Sequence, residues 1–158
     1  MKKLVQTSFF IVLVGYLFLS CKPTLDVYEK TVALPKQEWQ SSYQPDFNFQ
    51  IKDSNSLYKI YLVLRHTEKY DFNNIYINLH VKGPGQDTST TIQKDLVLAT
   101  NDQGWQGTAM DDIYEHRIPL ADKQTLRAGL YNFTIEQIMR EDPLEHVLNV
   151  GLRLEREK

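Results

Sequence analysis

The chain has 158 residues, with 18 Lys and Arg against 20 Asp and Glu, a formal charge of −2 and no basic cluster. Nucleic acid and anionic bilayer surfaces both demand clustered Lys and Arg, so neither is expected as a partner. Cys21 is the single cysteine, which rules out an intrachain disulfide framework.

The first residues fall into the three zones of a secretion signal. Lys2 and Lys3 are followed by a largely apolar stretch from Leu4 to Leu19, and then by Phe18-Leu19-Ser20-Cys21. The apolar run is shorter than the roughly 20 residues of a membrane-spanning helix and ends at a small residue before cysteine, so removal is expected. Phe18-Leu19-Ser20-Cys21 resembles the lipobox of bacterial lipoproteins, with Phe where Leu is commonest. The resemblance implies cleavage after residue 20 and acylation of Cys21, palmitate being a typical chain. Several acyl chains, each contributing about 0.8 kcal/mol per buried CH₂, hold such a protein firmly in a membrane. Cleavage leaves 138 residues with a charge of about −4, a length suited to one domain.

Residues 21–45 hold Pro23, Pro35 and Pro45 and read as a lipidated tether and irregular segment, docked through Trp39 and Tyr43. The alternative is a strand already over Val27 to Leu34. From residue 46 to 158 the apolar period becomes two, the spacing of a strand. Phe47, Phe49 and Ile51 mark a half-buried strand. Tyr58, Ile60, Leu62 and Leu64 mark the next, and Tyr61 and Val63 on its other face place it centrally.

Ile75, Ile77, Leu79 and Val81 alternate with polar residues until Gly83-Pro84-Gly85 stops the pattern. One or two strands are expected within Thr88 to Ala99, another from Ile113 to Leu120, and one through Tyr131, Phe133 and Ile135. The last carries Leu148, Val150, Leu152 and Leu154. Gln137 to His146 is the one place for a short helix, limited by Pro143. These elements predict a mainly β fold, an antiparallel β-sandwich of about seven to eight strands with little helix outside the signal peptide.

No Gly-x-Ser-x-Gly elbow, His-Glu-x-x-His helix or phosphate-binding Gly-rich loop occurs. His66, His80, His116 and His146 are far apart in sequence, and His80 and His116 are expected on polar strand faces. Asp111-Asp112 and Glu141-Asp142 point to opposite faces as neighbours do on a strand, and read as solvated turns rather than paired catalytic carboxylates. Asp71-Phe72-Asn73-Asn74 has oxygen ligands of the type Ca²⁺ takes, but Asp and Asn are also turn residues. No catalytic group, metal or cofactor is expected beyond covalent lipid on Cys21. Trp105, between Gly104 and Gly107, is either a binding hot spot or a cap on the open end of the sandwich.

The run Tyr58 to Tyr76, then Gly104-Trp105-Gln106-Gly107, Gly129 to Arg140 and Val150 to Glu155, in this order and spacing and with the lipobox, resembles the GldH family of gliding-motility lipoproteins of the Bacteroidota. The resemblance spans essentially the whole chain. It implies an envelope protein needed for gliding, without enzymatic activity, associated with the gliding and type IX secretion machinery. Surface-displayed lipoproteins of these bacteria carry acidic residues after the cysteine. Lys22-Pro23-Thr24-Leu25-Asp26 does not supply that stretch, so an outer-membrane protein facing the periplasm is expected. Arg65, Tyr70, Trp105 and Arg140 lie in or beside loops and are the candidate anchors for partner proteins. Nine tyrosines and two tryptophans also suggest the alternative of a carbohydrate-binding sandwich, in which Tyr61, Tyr76 or Trp105 would form an exposed planar strip.

Overall fold

The structure, a computed structural model, describes residues 25–157, so Cys21 and the signal segment lie outside the described residues. The strands in chain order are β1 (Leu25–Ala33), β2 (Glu38–Trp39), β3 (Asp46–Ile51), β4 (Leu57–Thr67), β5 (Asn74–Lys82), β6 (Thr90–Val97) and β7 (Ala99–Thr100). There follow β8 (Gly104–Trp105), β9 (Thr108–Met110), β10 (Ile113–Pro119), β11 (Gln124–Thr125), β12 (Gly129–Gln137), β13 (Leu144–Glu145) and β14 (Val147–Glu157). The first sheet runs β1-β14-β4-β10-β9, with β11 also on β4; the second runs β3-β12-β5-β6. Two short ribbons, β2 with β13 and β7 with β8, close one end.

Every long pairing is antiparallel, and the period-two pattern sorts side chains as expected. Tyr58, Ile60, Leu62 and Leu64 of β4 and Val150, Leu152 and Leu154 of β14 face Phe47, Phe49 and Ile51 of β3, Ile75, Ile77 and Leu79 of β5, and Phe133 and Ile135 of β12 in one core. β4 is central, and Val63 on its outer face is buried as well. At the start of β14 a bulge at Leu148 interrupts the register between Val147 and Asn149. It therefore puts Val147, rather than Leu148, in the core row.

The packed domain begins at residue 25, earlier than residue 46. β1 pairs with β14 over nine residues, and Trp39 is fully buried with its Nε1 donating to the Tyr43 carbonyl at 2.9 Å. Of the two readings of this segment, the strand is the one found. β1 is an edge strand with few buried positions, so it carries no apolar period to read. The helix considered for Gln137 to His146 is replaced by a loop and β13, with the buried Gln137 side chain bonded to the Trp39 and Glu141 carbonyls and to the Met139 N–H.

β1 lies across Gly151 so closely that a Cβ there would fall on the Lys30 carbonyl oxygen and 2.6 Å from Thr31 Cγ2. Gly151→Ala should lower unfolding stability by about 2 kcal/mol or more, seen as a lower urea midpoint. Adding Thr31→Ala should recover only part of it, since the carbonyl remains.

Candidate functional site

Call the end at which β4 finishes and β5 begins the upper end. There His66 of β4 and His116 of β10 face inward, in diagonal register, with their Nε2 atoms 2.9 Å apart. His66 Nδ1 lies 2.7 Å from the Thr67 carbonyl, which can only accept, so Nδ1 carries the proton and donates. His66 Nε2 is then the acceptor, and His116 must carry its proton on Nε2. Both rings are buried, at 0 % and 2 % exposure. Burial lowers the pKa of both, and the neighbouring His66 adds to the effect on His116, which falls to about 4.

An aromatic shell encloses the pair. Trp105 sits 4.4 Å from His66 between ring centroids, Tyr70 at 5.0 Å and Tyr114 at 5.8 Å. The backbone passes so near at Gly107 that a Cβ would meet the Glu115 carbonyl oxygen at 2.7 Å and His116 Nε2 at 3.0 Å. His116 thus corrects the expectation of a polar-face histidine. It shares the inward row of β10 with Tyr114 and Ile118, a row too polar in composition to read as core. Trp105 acts as a cap over this end, and its packing on the core is the second of the two roles left open for it.

On the outer surface of the second sheet, also at the upper end, Phe72, Asn74, Tyr76, Gln93, Ile138, Met139 and Arg140 line a groove of about 470 Å³. Its wall, the loop after β12, is fixed in place. The Ile138 N–H donates to the Tyr76 carbonyl at 3.0 Å, and the Tyr76 N–H points to Met139 Sδ at 3.2 Å. Behind the loop the fully buried Gln137 donates to the Trp39 and Glu141 carbonyls and accepts from the Met139 N–H at 2.8 Å. Phe72 joins the groove to the inner shell through an edge contact with Tyr70 at 5.8 Å.

Three of the four predicted anchors, Tyr70, Trp105 and Arg140, gather at this end, but they differ in access. Arg140 is exposed on the groove and has no ion-pair partner among the described residues. Tyr70 is 4 % exposed, its hydroxyl donating to the Asn74 carbonyl, and burial raises its pKa, with the Glu141 charge adding to the effect. It packs beneath its own loop and presents no anchor. Arg65 lies on the outer face of the first sheet, paired with Glu115 at 2.5 Å. Tyr61 is outward on the first sheet, Tyr76 outward on the second and Trp105 half-buried over the upper end, so they form no common strip. Among the described residues no three His, Cys, Asp or Glu side chains gather as a metal site. The histidine pair and Gln137 are the residues that sequence reasoning missed. Only strand register, which pairs β4 with β10, would have revealed the first.

Because His116 stays neutral in the fold while its unfolded pKa is near 6.5, the unfolded chain binds more protons below that pH. Stability should be flat above about pH 6.5 and fall between pH 6.5 and 4, by on the order of 3 kcal/mol from this group. Urea titrations across this range should show the slope, and His116→Gln, whose amide can still donate to His66, should reduce it and leave the part that the buried His66 contributes. Nitrogen NMR should find His66 protonated on Nδ1 and His116 on Nε2.

A family model for GldH lipoproteins matches residues 26–154. The gliding motility lipoprotein GldH homolog of Christiangramia forsetii is 26% identical over 151 residues, covering 89% of each chain. The gliding motility lipoprotein GldH of Flavobacterium johnsoniae is 24% identical over 160 residues, covering 96% of this chain and 97% of its own. Among solved structures, dimeric latent PorU from Porphyromonas gingivalis aligns with a TM-score of 0.44 and 8% identity over 85% of this chain and 12% of that one. With the lipoprotein-family match spanning nearly the whole sandwich, the chain belongs to the GldH lipoprotein family, and its relatives are gliding motility lipoproteins.

Proposed function

We propose that this gliding motility lipoprotein is a non-enzymatic docking module, anchored through acyl chains on Cys21 and facing the periplasm from the outer membrane. In this reading it binds another envelope protein of the gliding and type IX secretion machinery. The observation that carries it is the preformed groove at the upper end, built from the aromatic, Met and Arg side chains that protein interfaces favour. Its position fits an anchored protein. Cys21 precedes Leu25 by four residues, a reach of at most about 14 Å, and Leu25 starts β1 at the lower end. Six residues of β5, from Tyr76 to Lys82, separate the groove from that end, about 20 Å. The groove thus lies at the end of the sandwich opposite the one at which the anchored segment enters. The hydrogen-bonded pair His66 and His116 is buried away from solvent, which supports a role without chemistry.

Affinity capture of the tagged, lipidated protein after gentle crosslinking should enrich a gliding or secretion component by mass spectrometry. Arg140→Glu and Tyr76→Ala should each cut that enrichment severalfold without loss of the folded protein, and Cys21→Ala should abolish it. Enrichment untouched by both groove variants would overturn the docking site, and wild-type membrane retention of Cys21→Ala would overturn the anchor.

A further inference from the structure

The lower end of the sandwich is not closed as the upper end is. β10 follows β4 as far as Pro119, opposite Tyr61, and the Leu120 N–H donates to the Ile60 carbonyl at 2.8 Å. The chain then leaves the sheet and returns as β11, opposite Tyr58 and Leu57. Across from this detour, the second sheet extends one strand further, in β6. The inward row of β6 is set by its register with β5: Leu96 opposite Ile75, Lys94 opposite Ile77, Ile92 opposite Leu79 and Thr90 opposite Val81. Leu96 is buried, but Ile92, on the same row, is 38 % exposed. An inward-facing apolar side chain is left partly uncovered by its own fold.

Between the detour and this row lies a cleft of about 250 Å³. Ile60, Leu79, Val81, Ile92, Leu120 and Phe133 make its walls apolar, and the exposed Gln86, Gln124 and Arg127 stand among its lining. Arg127 has no ion-pair partner among the described residues. An apolar interior with a few polar groups is the usual character of a small-molecule site, and the volume is below the roughly 300 Å³ at which drug-sized pockets begin. It suits part of a narrow, flexible chain rather than a rigid ring system.

We propose that this cleft receives one acyl chain of an anionic membrane lipid, with the phosphate or carboxylate of the head held by Arg127. Two observations select this occupant. The cleft is at the lower end, the end at which β1 starts, and on the anchored reading of Cys21 Leu25 is held within about 14 Å of the bilayer. The cation among the lining side-chain amides matches an anionic head, which the thioether-linked diacylglycerol on Cys21 does not have. Occupancy by one chain in a cleft requires no basic cluster, so it agrees with the near-balanced charge that argues against adsorption to a charged surface. The inference rests on the anchored reading for its supply of lipid.

The lipidated mature protein, reconstituted into vesicles of phosphatidylethanolamine and phosphatidylglycerol, would be irradiated with a trace of phosphatidylglycerol bearing a diazirine in its acyl chain. Peptide mapping should place adducts within Leu79–Val81, Thr90–Ile92 or Leu120–Leu126. Ile92→Trp, which fills the cleft from an exposed position, and Arg127→Glu should each reduce labelling severalfold, and Arg127→Lys should restore much of it. A diazirine fatty acid run in parallel decides between phosphate and carboxylate. Adducts spread over the loops without loss in either variant, or flotation with the vesicles and no adduct, would overturn the cleft. Labelling that persists in protein that no longer floats would leave the cleft standing and overturn the anchor.

Discussion

Two imidazoles sealed from water must divide their protons in one order, and the upper end of this sandwich is arranged around that division. The Thr67 carbonyl fixes the proton of His66 on Nδ1, which leaves its Nε2 free to accept from His116. Polar groups buried without a partner are costly, so each ring is held in place by the need of the other. Around them the β7–β8 ribbon brings Trp105 onto His66, and the passage of Gly107 beside His116 is open only to a residue without a side chain. Gln137 does for the second sheet what the histidines do for the first. One buried amide satisfies three backbone groups of two segments distant in sequence, and so fixes the groove wall.

The two outer faces are built on different terms. On the first sheet, Glu115 holds both Arg65 and Arg117, while Arg153 joins Glu29 to Glu155 across β1 and β14. The half-exposed Arg65 and Arg117 each gain little from their pairing, up to about 1 kcal/mol, and the part-buried Arg153 pairs hold β1 and β14 in register. On the second sheet the pairs are largely between amides, hydroxyls and carboxylates: Asn132 with Asn48, Thr134 with Asp46, Asn78 with Glu136 and Asn74 with Asp95. Side chains already paired along a strand ladder leave the unpaired Arg140 and the exposed Tyr76 as the distinctive groups of that face.

Alternation made most of the sandwich legible. Phe47, Phe49 and Ile51, the row from Tyr58 to Leu64, and Tyr131, Phe133 and Ile135 all lie inward as their period requires, because each strand faces one core. What escaped reading lies where that condition fails. β1, at an edge, buries too few residues to show a period, and the bulge at Leu148 displaces only the start of the last strand, where Val147 takes the core place while Val150, Leu152 and Leu154 lie inward as expected. His116 and Gln137 are polar residues on inward rows, and no local pattern distinguishes them from surface positions. Tyr70 looked like an anchor because it lies beside a loop, but its ring turns in toward His66. Arg140 could be named from sequence, yet the groove beside it depends on β5 and β6 lying next to the loop that follows β12.

The connectivity also determines how an anchored domain of this kind bears load. A membrane anchor ahead of Leu25 pulls on the lower end of β1, and a partner in the proposed groove pulls on the upper end of the second sheet. The line between them runs along the strands. β1 is antiparallel to β14 through nine paired residues, with hydrogen bonds perpendicular to the strand axis, so a pull along that axis loads the ladder in shear, many bonds together. Had the anchor entered at the upper end of β1, the same force would peel the strand from Ala33 one pair at a time. Thr31 seated over Gly151 strengthens this case, since the close approach of β1 to β14 resists sliding as well as separation. Lys30, which donates to the Asn48 carbonyl of β3, ties the loaded strand to the opposite sheet. β1, one of the two readings that the sequence left open for this segment, is the strand that would pass such a load to the rest of the sandwich.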